Sequence, residues 1–340
     1  MLRMAFVGMG WAGTRQVEAV AELGRKVEAA CLVDADEQHL KARSEELGIT
    51  RICTEYAEVL TNPDIVAVSI CTPHALHCPM AVEAAEAGKH VLVEKPMAMT
   101  VDEATRMLGA AAANAVELYV AESASYSAQA KFLRELVTEG RYIGELTAAA
   151  VTAGFRAPDY GYPGRREWLS SPDRGGTGSW MLHGIHTMAQ LRFALGEVRT
   201  VYLQQHRASS FRRDDLEGTM SGTLTLESGV QVSVLQTAES RLYGDLGGYV
   251  LHGDRGSVRC GADHCLLFSD EEDSTVVAYP QEKESVYAQE IESFADYVAG
   301  VSAGVTTGIA ERRSLAIVEA GYESCDSGQP VDLVERFGSL

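Results

Sequence analysis

Lys95, His183 and His186 are the side chains of this chain best suited to moving protons near neutral pH, and a glycine-rich turn near the N-terminus is suited to holding a diphosphate. The turn, Gly8-Met9-Gly10-Trp11-Ala12-Gly13, follows an apolar run from Met4 to Val7, and Asp34 closes the next apolar run about twenty residues further on. In a strand–turn–helix unit Gly8 permits the tight turn, Gly10 lets backbone approach a pyrophosphate, and Gly13 lets the helix pack closely on the sheet. A helix opening with Trp11 and Ala12 would turn unpaired N–H groups and a positive dipole toward the phosphates. The Asp34 carboxylate can accept both ribose hydroxyls of an adenosine while repelling a 2′-phosphate, and no arginine follows in Ala35-Asp36-Glu37. NAD is therefore the expected cofactor, with NADP disfavoured. Asp34 has a second possible use as a helix cap, a task Asp36 fills equally well.

Two more loops are expected at the carboxyl ends of parallel strands, where open α/β sheets bind their ligands. Thr72-Pro73-His74 follows the apolar run 65–71 and should pass beneath a nicotinamide ribose. Glu94-Lys95-Pro96 follows His90-Val91-Leu92-Val93 and should lie beside the nicotinamide. A lysine held there in restricted water loses pKa and exchanges protons near neutrality; the alternative is an ordinary turn lysine. Further on, Gly175-Gly176-Thr177-Gly178 leads into a helix carrying His183 and His186, three apart and hence on one face. Two such imidazoles suit proton transfer. As metal ligands they lack a neighbouring Cys, Asp or Glu, and no metal site is expected.

These side chains need a scaffold, and the pattern supplies one. Residues 1–122 alternate strand and helix: strands 3–8, 27–34, 51–53, 65–71, 90–94 and 116–121, with helices 12–24, 36–47, 56–60, 75–88 and 101–114 between them. That is an α/β Rossmann domain with a parallel sheet. Residues 123–340 form an α+β substrate-binding and oligomerisation domain, in which strands 144–155, 198–206, 217–226, 229–239, 247–253, 256–260, 264–268 and 275–279 join by short turns. They predict a large open, mainly antiparallel sheet. Helices 178–195, 284–300 and 310–327 are expected on one of its faces. The other face is left open to a second subunit, so a homodimer or homotetramer is expected.

Composition narrows the function. The 340 residues are 46% hydrophobic and carry a net charge of −19, which disfavours nucleic acid and anionic membrane surfaces as partners. No apolar run approaches the roughly 20 residues that span a bilayer, and no export signal precedes the first strand, so the cytoplasm is the expected location. Seven cysteines without metal spacing read as buried thiols; Cys71 alone lies near a cofactor loop. Tyr126, Tyr160, Tyr162, Arg165, Arg166 and Trp168 lie in segments expected at the cleft, combining flat apolar surface with hydrogen-bond donors, which suits a sugar or cyclic polyol. Arg165, Arg166, Arg212 and Arg213 would serve a carboxylate or phosphate, although Arg212-Arg213 beside Asp214-Asp215 reads as a salt-bridged pair.

The glycine fingerprint, Glu94-Lys95-Pro96 and the Gly-Gly loop leading to His186 together resemble the Gfo/Idh/MocA oxidoreductases, over essentially the whole chain. The resemblance implies that Lys95 contacts substrate and nicotinamide and that His186 sits at the reacting hydroxyl. Thr72, Pro73 and His77 match the family's Thr-Pro-x-x-x-His loop, with His74 where asparagine is usual. Members commonly place aspartate four residues before the histidine; here that position is Leu182, and His183 is the candidate replacement. The expected activity is NAD-dependent hydride transfer at a secondary hydroxyl of a sugar, cyclic polyol or cyclic diol. A redox-neutral use of NAD and a non-catalytic dinucleotide-binding regulator remain alternatives.

Overall fold

The computed structural model describes residues 1–154, 167–175, 177–207, 216–240, 247–269 and 275–340, which gather into two compact units. The first unit holds a parallel sheet of β1 (Leu2–Val7), β2 (Val27–Val33), β3 (Ile52–Cys53), β4 (Ala67–Ile70), β5 (His90–Glu94) and β6 (Leu118–Ala121). Their order is β3-β2-β1-β4-β5-β6 and every pairing is parallel. Between the strands run α1 (Trp11–Val20), α2 (Glu37–Leu47), α3 (Tyr56–Leu60), α4 (His77–Glu86) and α5 (Val101–Ala113). With both faces covered, the strands are apolar without alternation, and Met4, Phe6, Leu32 and Leu92 are fully buried. The order reverses between β1 and β4, and that switch point opens the crevice at the carboxyl edge of the sheet.

Helix ends follow local chemistry. Asp36 caps α2 by accepting from His39 N, and Gly48, at φ 70°, ends it in the left-handed conformation. Thr100 caps α5 by accepting from Glu103 N while the Glu103 carboxylate accepts from Met99 N, a variant of the reciprocal capping box.

The second unit contains α6 (Ala128–Glu139), β7 (Leu146–Gly154), α7 (Ile185–Leu195), and then β8 (Val198–Arg207), β9 (Glu217–Leu226), β10 (Gln231–Thr237), β11 (Gly248–Gly253), β12 (Gly256–Cys260), β13 (His264–Ser269) and β14 (Thr275–Ala278). Further along the chain come α8 (Val286–Val298), which belongs to the first unit, α9 (Gly308–Ser327), which begins in the first unit and continues in the second, and β15 (Val331–Asp332) and α10 (Leu333–Phe337) of the second. The large sheet runs β14-β13-β12-β11-β7-β10-β9-β8-β15. It is not wholly antiparallel, because β7 pairs with β10 in parallel. β7 reaches its central place through long connections rather than a hairpin, which frees it from the antiparallel rule. One face alternates toward water, with Gln231, Ser233 and Leu235 of β10 exposed and Val232 and Val234 buried.

One helix departs from its expected place. α8, predicted on the second sheet, packs in the first unit, where Ile291, Phe294 and Ala295 join a core with Met4, Phe6, Leu92 and Tyr119. The first unit thus comprises Met1–Ser123, Ser171–Gly175 and Lys283–Arg312, and the second Ala124–Ser170, Gly176–Glu282 and Arg313–Leu340. The apolar stripe of α8 fits either sheet from sequence alone, since periodicity marks a buried face without saying what buries it.

α7 is anchored at its far end by Arg192. Its Nε and Nη2 each donate to the Glu197 carboxylate at 2.7 Å, and Nη1 donates to Ser314 Oγ at 2.8 Å. Arg192 is buried, and its guanidinium holds Glu197 below the usual carboxylate range against the cost of burial. Removing one partner of a buried pair strands the other charge. Glu197→Ala should therefore cost about 3 kcal/mol, near the low end for such pairs because Glu197 is partly exposed. Thermal unfolding of the variant against wild type measures this, and an unchanged midpoint contradicts it.

Candidate active site

The glycine turn is fixed by steric need. Gly8 has φ +90°, and a Cβ there would lie 2.5 Å from the Cys71 carbonyl oxygen. A Cβ at Gly13 would fall on the Gly8 carbonyl. Gly10 is different, with ordinary φ and nothing within 4 Å of a Cβ, so there is open space above the turn. No side chain caps α1 and its first turn has no acid, so it keeps its positive end for an anion. These features fit a dinucleotide diphosphate. Trp11, 45% exposed, meets Tyr287 edge-on at 6.1 Å, and Ala12 follows it in the first turn of α1.

Asp34 follows the last residue of β2 and is 7% exposed. Its Oδ2 accepts from Met9 N at 2.9 Å and its Oδ1 from Asp36 N at 3.0 Å. The cap on α2 is Asp36, which leaves Asp34 tied to the glycine turn. The ring Nε2 of His39 lies 2.6 Å from the Met9 carbonyl, a contact that no motif announced. Asp34→Ala should weaken NAD binding roughly tenfold or more, the scale of a lost hydrogen bond to a charged group. It should also raise affinity for NADP relative to NAD. Binding titrations with both nucleotides check this, and an unaltered ratio counts against the role of the carboxylate.

At the ends of β4 and β5 the two loops expected at the cofactor are clamped together. His77, fully buried, places Nδ1 2.8 Å from the Pro96 carbonyl and Nε2 2.9 Å from the Thr72 carbonyl. Burial lowers its pKa, against the pull of both carbonyls, and a ring nitrogen that carries a hydrogen donates to the carbonyl it faces. His77 thus holds the Thr72-Pro73 loop against the Lys95-Pro96 loop. His74 sits beside it with ring centroids 5.6 Å apart, and its Nδ1 is 3.1 Å from the Gly175 carbonyl. Gly175, at φ +89°, packs directly on His74, which is how Ser171–Gly175 comes to belong to the first unit.

Glu94 ends β5, with Lys95 next in the chain. Its Oε2 accepts from Lys95 N at 3.2 Å and its Oε1 from Gln16 Nε2 at 3.0 Å. The Gln16 amide oxygen in turn accepts from Ser69 Oγ and from the Cys71 thiol. Burial, with Glu94 as the next cause, pushes the Cys71 thiol well up, so it is an unreactive packing group.

In the second unit the histidine-bearing helix begins as a π-helical turn, Trp180–Gly184, before becoming α7. Such turns are uncommon and recur at functional sites. His183 lies in the turn and His186 in α7, both half-buried, with ring centroids 5.6 Å apart. Gly184 has no side chain because the Trp180 ring occupies that space, 2.5 Å from a Cβ. The start of the turn is held by Glu217, a buried carboxylate accepting from Trp180 N at 2.7 Å and from Tyr322 Oη at 3.0 Å. Sequence reasoning missed Glu217 and Tyr322, which are distant in the chain and carry no motif.

Leu182 is 7% exposed and packs with Leu169 and Ala238, with Trp168 and Leu216 against them. A carboxylate there would face an apolar wall, so the aspartate's absence is matched by its surroundings. Trp168 is part of that wall, and Tyr126 is buried at 5% exposure. Arg166 lies outside the described residues, as do Tyr160, Tyr162, Arg165, Arg212 and Arg213. Among the described residues no helix is long and apolar enough to cross a membrane.

Comparison with known proteins agrees with this arrangement. Residues 2–122 match the oxidoreductase family with an NAD-binding Rossmann fold, and residues 131–259 match the GFO/IDH/MocA C-terminal domain. Over 232 residues the chain is 29% identical to a 1,5-anhydro-D-fructose reductase of Ensifer adhaerens, covering 68% of this chain and 67% of that one. It is 28% identical to a D-xylose 1-dehydrogenase (NADP(+)) of Haloferax volcanii, covering 90% and 92%. In fold it is similar to an aldose-aldose oxidoreductase from Caulobacter crescentus, with a TM-score of 0.85, 23% identity and coverage of 97% and 99%. A parallel nucleotide-binding sheet, an open mixed sheet and both family matches in chain order place this chain in the GFO/IDH/MocA family of NAD(P)-dependent oxidoreductases.

Proposed function

We propose that this protein is an NAD-dependent dehydrogenase acting on a secondary hydroxyl of a sugar, cyclic polyol or related cyclic diol. The observation that carries the reading is the placement of the glycine turn, Asp34, Thr72-Pro73 and Glu94-Lys95 along the carboxyl edge of a single parallel sheet. Relatives named for anhydrofructose and xylose support a carbohydrate substrate, while the Asp34 carboxylate supports NAD over NADP.

Gly8, Gly10, Gly13 and the start of α1 with Trp11 and Ala12 would hold the diphosphate, Asp34 the adenosine ribose, and Thr72, Pro73 and Glu94 the nicotinamide end. When bound, the nicotinamide supplies the hydride acceptor or donor at its C4. Lys95 donates a hydrogen bond to the substrate oxygen and stabilises the negative charge that grows there as the carbonyl forms. His186 takes the hydroxyl proton in oxidation and returns it in reduction, with His183 beside it as substrate contact and proton partner. His77 contributes by holding the two cofactor loops in register. Tyr126, Arg166 and Trp168 are assigned to substrate recognition. The water-facing side of the large sheet is assigned to a homodimer or homotetramer, and the cytoplasm is the proposed location.

The test is incubation of the protein with NAD⁺ and a panel of aldoses, inositols and cyclic diols while NADH absorbance is followed, and with NADH and the matching ketones for the reverse. NADH formation or consumption with at least one member is the expected result. Silence across the panel in both directions, from protein that binds NAD, counts against the dehydrogenase reading.

A further inference from the structure

Three glutamates meet in the first unit behind the end of β5. Glu94 ends that strand, Glu122 follows the end of the neighbouring β6, and Glu290 reaches in from α8. Glu94 pairs in register with Ala121, which places Glu122 one residue beyond its partner. Glu122 and Glu290 are 0% exposed, whereas Glu94 is partly exposed. Both carboxyl oxygens of Glu290 are buried without a hydrogen-bond partner among the described residues. A buried carboxylate with neither a cation nor a donor is costly, and three carboxyls in one low-dielectric site cannot all ionise. Such groups titrate as a unit and share protons.

Groups of both signs and of none surround the cluster. From the loop after β4 comes the Cys71 thiol, pushed up by burial and by Glu94 and Glu290. After β5 comes Lys95, whose ammonium acts on Glu94, with the buried His74 and His77 near it. α1 contributes the uncharged Gln16. Elsewhere on α8, Glu292 and Asp296 are paired with Lys26, and Glu22 binds the Ser285 cap. Burial raises Glu290 well above the carboxylate range, with Glu94 and Glu122 as further causes. Burial also pushes Glu94 up to about 7, with Lys95 pulling the other way and Glu122 adding to the rise.

We propose that Glu94, Glu122 and Glu290 form a proton store beneath the nicotinamide end of the crevice, whose protonation is linked to the charge of the bound ring. The proposal rests on the assignment of NAD to this crevice. Oxidised nicotinamide is cationic and reduced nicotinamide is neutral, so the two rings act differently on a carboxyl cluster below them. The cation favours the ionised cluster and expels a proton that the neutral ring leaves in place. The released proton passes to solvent through the partly exposed Glu94, and no other bond changes. The cluster is a positioning and proton-holding device, since Glu122 and Glu290 are sealed from the substrate. It makes NAD⁺ affinity, and so the ratio of NAD⁺ to NADH binding, depend on pH around neutrality.

The test needs no turnover. Binding of NAD⁺ and of NADH to the full chain is measured from pH 6 to 8.5 by NADH fluorescence and competition. Protons released on binding are counted by calorimetry in buffers of different ionisation enthalpy. Ionisation of the cluster strengthens NAD⁺ binding, so NAD⁺ affinity should rise with pH by about tenfold across this range, equivalent to about one pKa unit of linkage. NADH affinity should stay nearly level. Glu94→Gln should flatten the NAD⁺ profile, and Glu122→Gln should move its rise to lower pH because one raising charge is gone. Parallel profiles for the two nucleotides overturn the proposal while leaving the cofactor assignment intact, and this comparison holds even if a variant fails to fold. A pH-dependent rise that survives Glu94→Gln also overturns it, and failure of both nucleotides to bind overturns it together with the proposed function.

Discussion

Lys95→Ala should lower turnover by about a hundred- to a thousandfold, the usual consequence of removing one donor to a developing oxyanion. NAD binding should change by no more than a few-fold, because the diphosphate and adenosine contacts proposed above lie at β1, α1 and the end of β2 and do not involve the ammonium. Steady-state rates with any substrate found in the panel, beside nucleotide titration of the same variant, separate the two quantities. Equal loss of binding and rate would make Lys95 a cofactor ligand, and undiminished turnover would remove it from the chemistry.

The second large effect is at the glycine turn, where two substitutions should fail differently. Gly8→Ala places a Cβ 2.5 Å from the Cys71 oxygen and 2.8 Å from its carbonyl carbon, at a φ of +90° that other residues rarely adopt. The turn cannot accept it without shifting β1 against the loop after β4, at a cost of about 3 kcal/mol or more. Gly10→Ala meets open space and an ordinary φ, so thermal stability should hold within about 0.5 kcal/mol. Its added methyl would stand where the proposed pyrophosphate approaches the backbone, so NAD affinity should fall tenfold or more. Melting curves and NADH titrations of the two variants check the contrast. Loss of stability in Gly10→Ala, or full affinity retained in it, contradicts the assignment of this space to the diphosphate.

What the sequence made legible was chemistry confined to short stretches. The glycine turn, Asp34 and Glu94-Lys95-Pro96 each combine their residues within a few positions, and strand–helix alternation puts them on one sheet edge without further information. Features that depend on distant partners were not readable in this way. Glu217 meets Trp180 and Tyr322 across 37 and 105 residues of chain, and nothing near residue 217 distinguishes a helix-capping carboxylate from a strand acid. Glu290 reads as one more polar position on an amphipathic helix until α8 is seen packed beside β6. The parallel pairing of β7 with β10 escapes hairpin logic for the same reason. The π turn had a trace in the sequence, Gly184 one helical turn after Trp180, but a glycine there is equally compatible with an ordinary helix.

His77 shows how a motif position takes on a physical role. Its spacing from Thr72 and Pro73 is a matter of sequence, but only the structure shows both ring nitrogens facing carbonyls of the two loops that carry the proposed nicotinamide contacts. Leu182 is the converse case. The residue departs from the aspartate that the resemblance led us to expect, and only the structure shows it packed against the apolar Leu169 and Ala238.

The most direct test of the central claim is to supply NADH deuterated at the transferable C4 position with the ketone forms of the sugars and polyols, then examine the recovered carbohydrate by mass spectrometry. The account predicts one deuterium fixed on a carbinol carbon of at least one substrate, in stoichiometry with the NADH consumed and formed about a hundredfold or more slowly with Lys95→Ala. Carbohydrate chemically changed with no deuterium gained and no net NADH consumed would contradict it and show that the cofactor serves a redox-neutral reaction.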